Sequence, residues 1–344
     1  MTGFVIVLAL FLISAILVAL FRLHTLVEVI RGKKDERSGN SNKVNAALMV
    51  VFLVTSFVLL IWYSVKEFDN YNLPVASEHG VTTDQLFWWT MVITGVVFII
   101  TQILLFWFPF KYQFSEKRKA LFYPDNTKLE IIWTVVPAIA LAGLVLYGLL
   151  VWNKVMQPAP KDAEVIEVMG YQFAWKVRYP GKDKELGGYD YRLIDAVNAF
   201  GMNFNDRASF DDFSPRELHL PKGRPVEIKI RARDVLHSFY LPHFRVKMDA
   251  VPGMPTRFAF TPTKTTEEMR AETGNPDFNY ELACTEICGR GHFSMRLIVV
   301  VHEPEEYDKW YAEQESWLSK NPDYLSKVPS DMKELAMVKA NIAQ

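Results

Sequence analysis

The sequence predicts an α-helical membrane anchor followed by an all-β domain of the sandwich or barrel kind. Three observations predict it. Four long apolar segments all lie before Asn153. The loops between them alternate between basic and nearly cation-free. After Pro158 the pattern changes to short apolar or alternating runs with turn punctuation.

The apolar segments are Phe4–Phe21, Ala46–Val65, Leu86–Phe110 and Ile131–Trp152, and none contains a charged residue. Each approaches or exceeds the roughly 20 residues a helix needs to cross a bilayer. A soluble chain rarely offers four such stretches. The first loop carries Arg22, Arg31, Lys33, Lys34, Arg37 and Lys43, and the third carries Lys111, Lys117, Arg118, Lys119 and Lys128. The second has only Lys66, beside Glu67, Asp69, Glu78 and Asp84. Basic loops stay in the cytoplasm, so the N-terminus and everything after Trp152 should face outward. The first segment reads as a retained helix: no Lys or Arg precedes it, and its basic flank follows it. Trp88, Trp89, Trp107 and Trp152 lie near segment ends, where an interfacial belt belongs.

Strand candidates in the second half are AEVIEVMGYQFAWKVRYP, RPVEIKIRA, TRFAFTP and MRLIVVVHE, separated by turns such as PGKDKELGG and GNPDFN. The last stretch, from Glu303, reads as helical with a Pro break. These boundaries divide the chain into a transmembrane region (1–110), a cytoplasmic loop with the last membrane helix (111–157), a β-domain (158–305) and a helical tail (306–344). A formal net charge of −1 and the lack of a basic block give no indication of a nucleic-acid partner.

The chemistry concentrates in CTEICGRGHFSM, residues 284 to 295, which holds the only two cysteines. A Cys284–Cys288 disulfide would close a tiny ring and leave His292 and Met295 unexplained. Zinc suits Cys and His but not a thioether. Thiolate, imidazole and thioether together select copper. A mononuclear blue site needs two His, one Cys and a weak axial Met, so it has no use for a second cysteine. Two thiolates can instead bridge two ions, with Met295 weak on one and a backbone carbonyl between the cysteines serving the other. A second histidine is then needed, and RDVLHSFYLPHFRVKMDAVPGM offers His237 and His243.

With these residues in view, the chain resembles subunit II of cytochrome c oxidase, in the haem–copper oxidase superfamily. Cys284, Glu286, Cys288, His292 and Met295 match the family's C-x-E-x-C-x-x-x-H-x-x-M pattern without a gap. The stretch D-V-L-H, followed by K-M-D-A-V-P-G, resembles the family's ligand strand and selects His237 over His243. The resemblance implies a cupredoxin-like Greek-key barrel and a dinuclear copper (CuA) centre ligated by His237, Cys284, Glu286, Cys288, His292 and Met295. The spacing from His237 to Cys284 exceeds the family's, which suggests a surface insertion around Lys264–Asp277.

The same resemblance assigns further roles. GYQFAWKVRYP matches the family's electron-receiving aromatic strand, with Phe173 where the family has Trp and Trp175 retained. Either residue could carry electron input, although aromatics in strands are commonly core. Glu130, opening LEIIWTVVPAIAL, stands where the family has an acid near a proton-uptake path; an acid in a first helical turn also suits the helix dipole. The carboxylate of Glu286 would contribute to a magnesium site at the subunit I interface. Asp206, Asp211, Asp212 and Glu217 are candidates for docking a basic cytochrome, or simply a solvated loop.

Implied partners are the membrane, subunit I with its haem and second copper site, other oxidase subunits, and cytochrome c or a cytochrome c domain of a quinol-oxidising complex. The implied location is a bacterial-type inner membrane, with the copper domain on the periplasmic face. The family's minimal form has two transmembrane helices, so the first two here are additional. A copper-free quinol-oxidase subunit and a membrane-anchored copper carrier are the competing readings. The intact ligand set opposes the first; Glu130, Trp133, Thr134, Pro137 and the aromatic strand oppose the second.

Overall fold

The computed structural model describes residues 2–32, 40–115 and 117–342. Lys33, Lys34 and Arg37 of the basic first loop lie outside the described residues. The chain divides into two units, one from Met1–Asn72 and Trp88–Ala142, the other from Leu73–Phe87 and Gly143–Gln344.

The helical elements are α1 (Thr2–Ile30), α2 (Asn40–Lys66), a single turn α3 (Phe68–Tyr71), α4 (Glu78–Lys111) and α5 (Thr127–Val155). Among the described residues, α1, α2, α4 and α5 are long and apolar enough to cross a membrane. Their apolar side chains are exposed on all sides, for example Leu17, Leu59, Ile99 and Val145. A helix that is apolar all round needs a hydrocarbon surrounding or another apolar surface. Asn126 caps α5: its side-chain oxygen accepts from Leu129 N, while Glu130 accepts from Asn126 N. Glu130 therefore has a local capping role.

The β-domain contains β1 (Glu164–Tyr171), β2 (Ala174–Arg178), β3 (Leu218–Pro221), β4 (Val226–Ala232), β5 (His237–Leu241), β6 (Val246–Ala250), β7 (Thr256–Phe260), β8 (Tyr280–Cys284) and β9 (Arg296–His302). They form two sheets, ordered β2-β1-β4-β7 and β3-β9-β8-β5-β6. The pairs β1–β4 and β3–β9 are parallel and the rest antiparallel. One core joins the sheets: Ile166, Val168, Val177, Ile228 and Ile230 from the first meet Leu220, Phe239, Leu282, Val299 and Val301 from the second. Alternation along each strand places these residues on the inner faces. The result is the cupredoxin-like sandwich that the short-strand pattern and the resemblance predict.

Between β7 and β8, the stretch expected to be a surface insertion holds a helix, α6 (Thr266–Thr273). Thr265 and Glu268 form a reciprocal capping box, and Met269 is fully buried in the core. The start of α4 is also fastened to this domain. Arg245 makes a bidentate pair with Asp84 at 2.8 and 2.9 Å, and Ser77 Oγ donates to Phe244 O.

The outer face of the first sheet is covered too. The segment between β2 and β3 packs there with α8 (Trp317–Lys320) and α9 (Lys333–Lys339), while α7 (Pro304–Ala312) packs beside β3 and β9 of the second sheet. Met169, Phe200, Phe204, Phe210, Leu318 and Ala336 make a second core. Beneath it lies a charge cluster. Arg178 Nε meets Glu167 at 2.6 Å and its Nη1 meets Asp212 at 3.1 Å, while Arg231 meets the other Glu167 oxygen at 2.7 Å. Asp211 and Asp212 are both buried, so neither the docking reading nor the solvated-loop reading holds for them. Burial pushes the Asp212 carboxyl up to about 8 against the pull of Arg178.

Candidate metal centre

Antiparallel pairing delivers the candidate ligands to one end of the second sheet. His237 opens β5 and Cys284 closes β8, with Phe239 opposite Cys284. The β8–β9 loop then carries Cys288 and His292, and Met295 precedes β9. Backbone bonds Cys284 N to Met295 O and Thr285 N to Ser238 O tie the loop's ends to the sheet.

Six residues converge. Cys284 Sγ lies 3.9 Å from His237 Nδ1, 3.3 Å from the Glu286 carbonyl oxygen and 4.0 Å from Cys288 Sγ. Cys288 Sγ lies 3.6 Å from His292 Nδ1 and 3.8 Å from Met295 Sδ. Both cysteines are free, and their 4.0 Å sulfur separation is about twice the length of a disulfide bond. Ligands held at about 2.0–2.3 Å around one ion stand roughly 3.3–3.8 Å apart. The donor spacings therefore fit metal coordination, and the mixture of thiol, imidazole and thioether fits copper. Burial, then the neighbouring Cys284 thiol, pushes the Cys288 thiol up to about 11. Metal binding must displace those protons, as it must at any thiolate site.

His243 is elsewhere. Its Nδ1 lies 3.0 Å from Pro74 O and its ring packs edge-on against Phe278 and Tyr280.

The surrounding residues hold the cluster. His237 is fully buried, with Nε2 2.9 Å from Asp234 Oδ1. Asp234 Oδ2 accepts from Gln172 N, and Gln172 Nε2 donates to Cys288 O at 2.7 Å. Partial burial raises Asp234, but the bonds from Gln172, His237 and Val235 outweigh it and hold the carboxyl below its usual range. Asp234 and Gln172 were not singled out in the sequence. The Asp234–His237 spacing of three was the available signal.

Phe173 and Trp175 occupy different environments. Trp175 is 4% exposed and meets His237 edge-on at 6.0 Å between centroids. Phe173 is 36% exposed and lies against the ligand loop. A Cβ on Gly291 would come within 2.6 Å of the Phe173 ring, and one on Gly289 within 2.9 Å. Gly289 also has φ +132°, which side chains rarely adopt. The two glycines let the ring seat on the loop backbone.

A cupredoxin-like sandwich tethered to apolar helices, with a buried cysteine–histidine–methionine cluster at one end, defines a membrane-anchored metalloprotein class. The family model for the periplasmic domain of cytochrome c oxidase subunit II matches residues 164–302. The model for that subunit's transmembrane domain matches residues 62–151, covering α4 and α5 but only the end of α2. The alternative cytochrome c oxidase subunit 2 of Bradyrhizobium diazoefficiens is 36% identical over 248 residues, which is 71% of this chain and 83% of the relative. The cytochrome c oxidase subunit 2 of Thermostichus vulcanus is 28% identical over 261 residues, covering 68% of this chain and 76% of that one. The solved periplasmic domain of subunit II from Bradyrhizobium japonicum is 25% identical, with a TM-score of 0.31, over 44% of this chain and 94% of that one. The chain belongs to the cytochrome c oxidase subunit II family. It is therefore a subunit of an oxidoreductase complex, and its family implies copper.

Proposed function

We propose that this subunit receives electrons from a cytochrome c, or a cytochrome c domain of a quinol-oxidising complex, and passes them to haem in subunit I. There oxygen is reduced and protons are translocated. The observation that carries the reading is the pair of thiols 4.0 Å apart, each with an imidazole nitrogen within 3.9 Å. His237, Cys284, the Glu286 carbonyl, Cys288, His292 and Met295 would hold a dinuclear copper centre. Copper bound there would supply a one-electron redox couple.

The protein's part is to hold this donor set still. Strand ends fix His237 and Cys284, and Asp234 orients the His237 ring. Phe173 excludes water from one side of the loop and offers surface contact to a donor. Trp175 is buried, so Phe173 is the better candidate for electron input and Trp175 a packing partner of His237. The exposed carboxylate of Glu130 is assigned to proton uptake in addition to its cap, and the half-buried Glu286 side chain to magnesium at the subunit I interface. The basic loops favour a bacterial-type inner membrane with the copper domain in the periplasm.

Metal analysis and electron paramagnetic resonance of the full chain in its purified complex test the reading. Two coppers in this subunit, sharing one unpaired electron equally, are expected. A single localised copper would instead favour a carrier.

A further inference from the structure

Three of the four acids expected to capture a basic donor are buried or bonded within their own loop. Asp211 and Asp212 are buried, and Asp206 accepts bonds from Ala208 N and Gly188 N. Glu217 alone keeps an exposed carboxylate, 42% exposed beside His219.

Cations stand on the strand and on the loop that flank Phe173. Arg233 stacks its guanidinium over Tyr171 at 4.6 Å, and Lys176 Nζ lies 5.9 Å from the same ring. Arg290 is exposed on the ligand loop, between the two glycines that seat Phe173. The acid beside Arg233 is Asp234. Its oxygens are turned to His237 Nε2, Val235 N and Gln172 N, with only a 3.9 Å approach from Arg233. Two cations therefore flank Tyr171 and a third stands on the loop that seats Phe173, while the Asp234 carboxylate is committed to the site.

We propose that this face docks an electron-donor protein whose own docking surface is acidic, the reverse of the charge arrangement that a basic cytochrome c requires. The inference rests on the electron-input reading above and adds the chemical class of the partner. Phe173 and Tyr171 supply the apolar contact, and Lys176, Arg233 and Arg290 select the carboxylate-rich rim. One electron leaves the donor's ferrous haem, which becomes ferric, and is taken up at the site. No bond is made or broken. Complementary charge acts chiefly on the association rate and is screened by salt.

The test uses the purified complex containing the full chain and two probes of identical fold. One is a basic mitochondrial-type cytochrome c; the other is the same protein with its lysines succinylated. Oxidation of each reduced probe is followed against ionic strength. The acidic probe should react about tenfold faster than the basic one at low salt, and the difference should vanish at high salt. Lys176→Glu and Arg290→Glu should each slow the acidic probe and speed the basic one, with copper content and resonance spectrum unchanged. A wild-type preference for the basic probe at low salt, or rates indifferent to both substitutions, overturns the charge assignment and leaves the electron-input reading standing. A copper centre that neither probe reduces, but a small-molecule reductant does, overturns both.

Discussion

His237 Nε2 stands 2.9 Å from Asp234 Oδ1, on the side of the ring opposite the nitrogen that faces Cys284. A proton on Nε2 shared with the carboxylate leaves the Nδ1 lone pair directed at the sulfurs, which is how an outer carboxylate sets a metal-binding tautomer. Asp234→Ala should lower copper affinity about 10–100-fold in competition with a chelator. It should also broaden or split the resonance spectrum. Unchanged affinity and spectrum would show that β5 alone orients the ring.

The sulfur ligands differ in what their removal does. Cys284→Ser or Cys288→Ser should abolish the dinuclear signal, because each thiol approaches an imidazole and the other sulfur. Met295→Leu should retain two coppers and shift the reduction potential, since a weak axial ligand tunes potential more than affinity. Loss of one copper from that variant would refute the weak-ligand assignment.

Arg178 is the centre of the buried charge cluster, 2% exposed and bonded to Glu167, Asp212 and Gly187 O. Arg178→Met removes the partner and leaves two buried carboxyls, a change that typically costs about 3–5 kcal/mol. Thermal melting should show a large loss of stability. Asp212→Asn should be milder, because burial already favours the neutral form at that position. Equal losses in the two variants would count against this account.

His219 and His302 share a ring-nitrogen contact of 2.8 Å, with Trp310 stacked on His219 at 4.0 Å. Burial, then the neighbouring His302, lowers His219 from 6.5 to about 3. The unfolded chain therefore binds a proton between those values that the folded chain refuses. Stability from this site is full above about 6.5 and falls as pH drops towards 3. His219→Gln should flatten the acid limb of a plot of melting temperature against pH. An unaltered limb would place the acid sensitivity elsewhere.

The anchor and the ligand loop were legible because each is a local pattern. A transmembrane helix must satisfy its backbone internally and be apolar along its whole length, so Leu86–Phe110 declares itself in one stretch of sequence. Four sulfur and nitrogen ligands within twelve residues likewise require no knowledge of the rest of the chain. The strands were legible from alternation, as in RPVEIKIRA for β4.

What the linear pattern could not show depends on contacts between distant residues. Acidic residues in a polar run look the same whether solvated or buried; Asp212 is buried because Arg178 lies opposite Glu167 on the neighbouring strand. The stretch after Lys264 looked like surface, yet its capping box turns Met269 into the core.

By itself, then, the sequence determined the membrane anchor, the strand-rich domain and the chemistry of the ligand loop, each encoded by neighbours in the chain. Only the tertiary structure decided how His237 is brought to Cys284 from 47 residues away, how Asp234 and Gln172 brace the loop, and which charges flank Phe173. These are matters of strand pairing and burial, set by long-range packing that no local pattern records.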